Sequence, residues 1–78
     1  EMAQKELNRV IMDAIQSLPE QHRSVILLRE IEGLSYEEIA KTLRIRKGTV
    51  MSRLHYARQE LQKNLMPYIK EGEIREKK

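Results

Sequence analysis

Cationic and small polar side chains are concentrated in one segment just past the middle of the chain. This segment, "LRIRKGTVMSRLHYAR" at residues 43–58, carries five positive charges in sixteen residues. Lysine and arginine side chains bind phosphate oxygens, whereas serine and threonine can hydrogen-bond to the edges of nucleic acid bases. Two explanations fit such a segment: it forms a solvated helix face, or it binds nucleic acid.

Helical geometry helps to separate these two explanations. Val50, Leu54 and Ala57 form an apolar stripe, and because each residue advances by about 100° around a helix, the stripe defines an inward face. Opposite and beside the stripe lie small, hydrogen-bonding, aromatic and cationic residues: Gly48, Thr49, Met51, Ser52, Arg53, His55, Tyr56, Arg58 and Gln59. A solvated face more often carries Glu–Lys pairs four residues apart, and the first half of this helix has none. The pattern therefore favours a helix that enters the major groove of DNA.

Catalytic and metal-binding chemistry finds little support in the sequence. The chain has no cysteine, which excludes disulfides, thiol catalysis and zinc sites built on thiolates. His22 and His55 lack the neighbouring residues that metal binding or acid–base catalysis needs, and His22 is expected at the surface of the second helix. The Glu37–Glu38 pair is better explained by helix capping. We therefore expect a protein that is not an enzyme and has no catalytic residue, cofactor or metal.

The composition indicates one small helical domain. The 78 residues carry 15 Lys and Arg against 12 Asp and Glu, so the net charge of +3 does not by itself indicate a nucleic acid partner. Without Phe or Trp, the core must consist of Leu, Ile, Val, Met and Ala, which favours helices over a sheet. No stretch is long and apolar enough to span a membrane, and none resembles a signal peptide. We expect a cytoplasmic protein without membrane insertion, and its first residue, Glu1, suggests a piece of a longer one.

The apolar periodicity predicts the helices that must position the basic segment. Steps of three and four residues mark amphipathic helices, and Pro19 suits the start of the second one. The predicted helices are residues 3–18, Glu20 to Glu32, a short helix after Ser35 that ends near Leu43, and Lys47 to Leu65. Pro67 should end the fourth helix at or near Met66. The charged tail, residues 67–78, is predicted to be flexible and the folded domain to span residues 1–66.

The third helix has the strongest start signal in the chain. Ser35 followed by Glu38 predicts a capping box, and Leu34 with Ile39 predicts a hydrophobic staple. Gly33 suits the left-handed position after the second helix. A short helix, a turn of about three residues and a long helix form a helix-turn-helix unit. The expected fold is therefore an all-α, four-helix domain that contains a helix-turn-helix.

Five sequence pieces, in order, carry a resemblance to a known family. They are "LPEQHR", "LRE", "EGLSYEEIA", "GTV" and "SRL…AR", and together they cover roughly residues 15–62. In these pieces the chain resembles region 4 of bacterial sigma factors, in particular the extracytoplasmic-function (ECF) group. The resemblance implies recognition of the −35 promoter element, docking on the β flap of the RNA polymerase core, and sequestration by an anti-sigma factor.

The resemblance also implies which residues bind DNA. Ser52, His55 and Tyr56 match the positions closest to bases, and Arg29 with the Tyr36–Glu37 pair matches positions that touch DNA in the family. Together with the basic segment, the predicted DNA-binding residues are Arg29, Tyr36, Glu37, Arg46, Lys47, Gly48, Thr49, Ser52, Arg53, His55, Tyr56 and Arg58. For Tyr36 a second interpretation stays open, in which its ring covers the helix junction.

The sequence departs from the family pattern at three positions. Arg44 stands where glycine is usual, Arg46 where serine or proline is usual, and Met51 where lysine or arginine is usual. Arg46 falls at the N-cap of the fourth helix, where its side chain cannot accept the free backbone N–H bonds. We expect a DNA phosphate to take that place, because a helix N-terminus is a ready anion site.

Two other functions remain compatible with the sequence. One is the helix-turn-helix output domain of a response regulator, and the other is a sigma-like module that binds proteins but not DNA. The presence of Arg29, Ser52, Arg53 and Arg58 argues against the second. If polymerase or an anti-sigma factor binds, we expect it on the second helix and the end of the fourth, around Leu61, Leu65 and Met66.

Overall fold

Four α-helices make up the described part of the chain. The computed structural model describes the backbone of residues 3–77 and the side chains of residues 3–68, and it contains no strand within them. The helices are α1 (Gln4–Gln16), α2 (Glu20–Ile26), α3 (Tyr36–Leu43) and α4 (Lys47–Lys77), with a π-helical segment (Leu27–Ile31) that continues α2. The predicted all-α fold with a helix-turn-helix, formed by α3 and α4, is confirmed. No described helix is both long and apolar enough to cross a membrane.

A small aliphatic core holds the helices together. Its buried members are Ile15, Leu18, Val25, Ile26, Ile39, Val50, Leu54 and Ala57. The predicted inward stripe of α4 is confirmed, since Val50, Leu54 and Ala57 are buried and Leu61 is packed beside them. In α1 the predicted stripe is buried only toward its end, and Leu7 is 37% exposed. Apolar periodicity identifies a helix face, but not how far a neighbouring helix covers it.

The end of α2 differs from the prediction. An α-helix was expected as far as Glu32, whereas the chain widens into π-helical turns from Leu27 onward. The Glu32 N–H donates to the Leu27 carbonyl at 3.0 Å, and Gly33 follows with a φ of 75°, the left-handed conformation expected there. A π-helical turn adds a residue to the normal helical period, so the sequence period could not reveal it.

His22, expected at the surface, is half-buried, and its Nδ1 atom has no hydrogen-bond partner among the described residues.

The start of α3 is formed as predicted. The Ser35 hydroxyl accepts a bond from the Glu38 N–H at 3.1 Å, and the Glu38 carboxylate accepts one from the Ser35 N–H at 2.8 Å. Ile39 is buried in the core and Leu34 packs against that core, which is consistent with the predicted hydrophobic staple. This start fixes where α3 leaves the π-helical segment, and therefore where the helix-turn-helix begins.

A left-handed residue forms the turn between α3 and α4. Arg44 has φ 59° and ψ 47°, and the Ile45 N–H donates to the Ala40 carbonyl at 3.0 Å. Glycine is the residue best suited to this conformation, since a side chain there costs roughly 1–2 kcal/mol. The turn is followed by Arg46, whose carbonyl accepts the first backbone hydrogen bond of α4 from the Val50 N–H at 3.0 Å.

The predicted end of α4 is wrong. The helix passes through Pro67 and continues to Lys77 instead of stopping at Met66. Proline removes one backbone hydrogen bond, to the carbonyl of Lys63, but both residues are exposed and that carbonyl can be hydrated. The side chains of residues 69–77 and the whole of Lys78 lie outside the described residues. Division of the chain at residue 66 and a flexible tail therefore stay predictions.

Candidate nucleic-acid interface

The outer face of α4 presents the predicted base-contacting residues to solvent. Its first three turns expose Gly48, Met51, Ser52, His55, Tyr56, Arg58 and Gln59, while Thr49 and Arg53 are half-buried. The rings of His55 and Tyr56 meet edge to face, with centroids 5.2 Å apart. This face therefore combines hydroxyl, imidazole and phenol groups, which can donate and accept hydrogen bonds.

An ion pair joins the first turn of α3 to the first turn of α4. The Lys47 Nζ atom lies 2.8 Å from the Glu37 carboxylate, and both side chains are more than half exposed. Mainly through this hydrogen bond, Lys47 lowers the pKa of Glu37, and Glu37 raises the pKa of Lys47. Lys47 thus carries its full charge at neutral pH, but in the free protein that charge is directed to a carboxylate.

A second ion pair holds Arg58 against the π-helical segment that follows α2. The Arg58 guanidinium donates to the Glu30 carboxylate at 3.0 Å, and this bond raises the pKa of Arg58. Sequence analysis did not include Glu30 among the predicted site residues. It lies 28 residues before Arg58, so local spacing gave no signal for the pair.

Arg29 and Tyr36 are engaged with each other within the protein. The Arg29 guanidinium lies 5.0 Å from the Tyr36 ring centroid, and it donates to the Leu34 carbonyl at 2.9 Å. A cation over an aromatic ring is attracted to the ring's negative face. Tyr36 also packs against the core. The interpretation of Tyr36 as a cover over the helix junction therefore has direct structural support, whereas DNA contact by either residue stays a prediction.

A shallow depression lies between α3 and the outer face of α4. Its volume is about 430 Å³. The residues lining it are Tyr36, Met51, His55, Arg58, Gln59 and Gln62. Met51, Gln59 and Gln62 were not among the predicted site residues, although helical projection had placed Met51 and Gln59 beside or on the outer face. The depression brings the junction residues and the outer face of α4 into one surface.

The first turn of α4 has unpaired backbone N–H groups and contains no acidic residue of its own. Within the described residues, no hydrogen bond uses the backbone N–H groups of Lys47, Gly48 or Thr49, and the first turn contains no acidic residue. Arg46, immediately before, is exposed. An anion bound here would meet backbone N–H groups, the helix dipole and two cations.

The described residues offer no obvious metal site. They contain no group of three His, Asp or Glu side chains that could hold a metal ion.

Comparison with known proteins gives one consistent result. The family model described as "Sigma-70, region 4" matches residues 8–61. The chain is 45% identical over 67 residues to the ECF RNA polymerase sigma-E factor of Haemophilus influenzae, and this match covers 86% of the chain and 35% of that protein. It is 43% identical over 71 residues to the RNA polymerase sigma-H factor of Pseudomonas aeruginosa, covering 91% of the chain and 37% of that protein.

A third relative has the same extent of similarity. The ECF RNA polymerase sigma-E factor of Escherichia coli K12 is 44% identical over 69 residues, or 88% of the chain and 36% of that protein. The chain thus spans little more than a third of the length of these relatives.

Proposed function

The chain belongs to the sigma-70 region 4 family, and from this premise we propose that it is the promoter-recognition domain of an ECF alternative sigma factor. In this function it binds the −35 element in the cytoplasm and docks on the β flap of RNA polymerase, without any catalysis of its own. The observation that carries the proposal is the exposed outer face of α4, whose own first turn contains no acidic residue. The family match favours this function over a response-regulator output domain.

In the proposed complex, α4 lies in the major groove and its first turns contact base edges. Recognition helices of helix-turn-helix proteins bind in this way, with their N-terminal residues nearest the bases. Ser52, His55 and Tyr56 are exposed on the outer face and would supply hydrogen bonds to bases. Gly48 is exposed and has no neighbour near the position of a Cβ atom, so it adds no bulk between the helix and DNA.

Cations around this face would bind the phosphates on either side of the groove. Arg46 and Lys47 stand at the start of α4, Arg53 on one flank and Arg58 on the other. Lys47 and Arg58 already have carboxylate partners in the free protein, so DNA must compete with Glu37 and Glu30 for them. We therefore expect weak and strongly salt-dependent binding by the chain alone, because salt dependence scales with the phosphates neutralised. Tethering to polymerase would supply the missing effective concentration.

A separate surface is proposed for the protein partners. Leu61 and Leu65 are half-buried near the middle of α4, and Met66 is 40% exposed beyond them. These apolar residues at the middle of α4 lie away from the base-contacting turns, so polymerase and DNA can be bound together. We propose that the β flap covers this surface and that an anti-sigma factor competes for it.

Selection from a randomised DNA pool tests the DNA-binding part of the proposal. The 78-residue chain is expected to enrich one sequence, and its affinity for that duplex should fall steeply between two salt concentrations. Ser52→Ala should relax discrimination at one base position. Binding without any enriched sequence would contradict promoter recognition, and no binding even at low salt would instead support a module that binds only proteins.

A further inference from the structure

Met51 is an exposed apolar side chain on the surface proposed to face bases. Half of it is exposed, although its neighbour Val50 is fully buried and Leu54 is 1% exposed. Met51 is not a member of the core cluster. The core of the described helices is therefore filled without Met51, and its place in the second turn of α4 is where recognition helices contact bases.

The surroundings of Met51 are polar or charged. Lys47, four residues before it, is paired with Glu37, and Arg58, seven residues after it, is paired with Glu30. These spacings place the three side chains in one row along α4. Met51 is thus an exposed apolar side chain between two cations that are paired with carboxylates in the free protein, and it lies at the edge of the depression that it shares with Tyr36 and His55.

The major groove offers one apolar group that such a side chain can bind. Adenine, guanine and cytosine present hydrogen-bond donors and acceptors there, whereas thymine also presents its C5-methyl group. A methionine side chain is unbranched, flexible and polarisable, so it adapts to small apolar groups. A cytosine at the same place would bring its N4 amino group to a thioether, which is only a weak acceptor.

We propose that Met51 is a specificity-determining residue that selects thymine at one position of the bound sequence through its C5-methyl group. This inference rests on the proposed function, because it assumes that the outer face of α4 enters the major groove. Met51 contacts no phosphate in this arrangement. It therefore adds discrimination between bases without adding to the salt dependence of binding.

Replacement of thymine by uracil removes only the C5-methyl group and therefore tests whether Met51 recognises that group. The probe is the duplex enriched from the randomised pool, with each thymine in turn replaced by uracil, and affinity is measured by fluorescence anisotropy at low salt. For the unmodified chain, we expect one uracil position to weaken binding about fourfold, which equals ~0.8 kcal/mol for one buried methyl group. In Met51→Ala the thymine and uracil duplexes should bind equally at that position.

Three further variants make the result specific. Met51→Leu should keep the thymine preference, because it keeps an apolar side chain, and Met51→Gln, of similar length, should lose it. Met12→Ala is the matched control, since Met12 is 38% exposed on α1 and should leave the preference unchanged. Circular dichroism of each variant verifies that its helices are intact.

The possible outcomes separate this inference from the proposed function. If the pool yields no enriched sequence, the proposed function fails. If a sequence is bound but no uracil position weakens binding, or if the preference survives in Met51→Ala, the role of Met51 is overturned while promoter recognition stands. The salt slope of Met51→Ala should equal that of the unmodified chain, and a flatter slope would place Met51 against the backbone instead.

Discussion

Glu37 and Lys47 form an ion pair across the helix-turn-helix, with Oε2 and Nζ 2.8 Å apart. It connects the first turn of α3 to the first turn of α4, ten residues later in the chain. Since both side chains are exposed, the pair adds little to folding stability. Its consequence is local: it holds Lys47 near the start of the helix that we propose to bind DNA.

The titration of Glu37 tests this pair. We expect its carboxyl to titrate below the ordinary value for glutamate, and Lys47→Gln to raise its pKa toward that value, as followed by NMR. Because the pKa is lowered in the folded state, the pair's small contribution to stability is present above the ordinary pKa and is lost as pH falls through the lowered one. Lys63→Gln, further along α4, is the control and should leave Glu37 unchanged. Equal titration curves for Glu37 with and without Lys47 would show that the pair does not persist in solution.

Arg44→Gly should stabilise the fold. Among the described residues other than glycine, Arg44 is the one with a positive φ. Glycine adopts that conformation without the steric cost of a Cβ atom. We expect the free energy of unfolding to rise by about 1 kcal/mol, less than the full steric cost because glycine also loses more entropy on folding. Urea denaturation measures the change.

Lys41→Gly provides the matched control for that substitution. Lys41 lies inside α3 and is exposed, so glycine there should lower the free energy of unfolding by about 1 kcal/mol. Opposite signs for the two glycine variants are expected. Destabilisation by both would mean that the left-handed turn is not a source of strain.

Met66→Ala should weaken binding to RNA polymerase core without a loss of folding stability. Met66 is 40% exposed, whereas Leu61 packs against the core, so Leu61→Ala and Leu65→Ala should lower both binding and stability. Binding to purified core enzyme, compared with urea denaturation, separates the two effects. Leu7→Ala, at an exposed position of α1, is the control. If all three α4 variants change only stability, these residues belong to the core and the partner surface lies elsewhere.

Short-range signals in the sequence predicted local structure well. The capping box of Ser35 and Glu38 spans three residues, and the stripe of Val50, Leu54 and Ala57 depends only on the helical period. Both depend on chemistry within one or two turns of a helix. The outer face of α4 followed from the same period, because a helix with one buried side must expose the opposite one.

Longer-range relationships were not accessible in the same way. No local spacing connects Glu30 with Arg58. They meet because α2 packs against α4 and the π-helical segment that continues α2 carries Glu30. The stacking of Arg29 on Tyr36 likewise depends on the π-helical segment, whose extra residue shifts the register. The sequence therefore indicated which cations surround the candidate site, but not which of them already have partners.

At Pro67 a short-range rule gave the wrong prediction. Proline inside a helix removes a hydrogen bond and usually kinks or ends it, yet α4 continues for ten residues beyond. The rule describes the free-energy cost of one proline in a helix. Where the helix ends depends on whether the hydrogen bonds formed beyond the proline outweigh that cost.

Arg46→Ser should separate folding stability from DNA binding at the start of α4. In the free protein Arg46 occupies the N-cap position, since its carbonyl accepts the first helical bond from Val50. Arginine cannot accept the free N–H bonds there and places a positive charge at the positive end of the helix dipole. Serine can accept such a bond, so we expect the variant to gain about 0.5–2 kcal/mol in free energy of unfolding.

The same substitution should weaken DNA binding. In the proposed complex a phosphate caps α4, and Arg46 is one of the cations that hold it. Loss of that cation should lower affinity similarly for all DNA sequences and flatten the salt slope by about one unit. Ser52→Ala is the matched comparison, because a base contact should change discrimination at one position and leave the slope nearly unaltered. If Arg46→Ser becomes more stable but binds DNA as tightly as the unmodified chain, the cations before α4 form a solvated surface, and the phosphate must lie elsewhere.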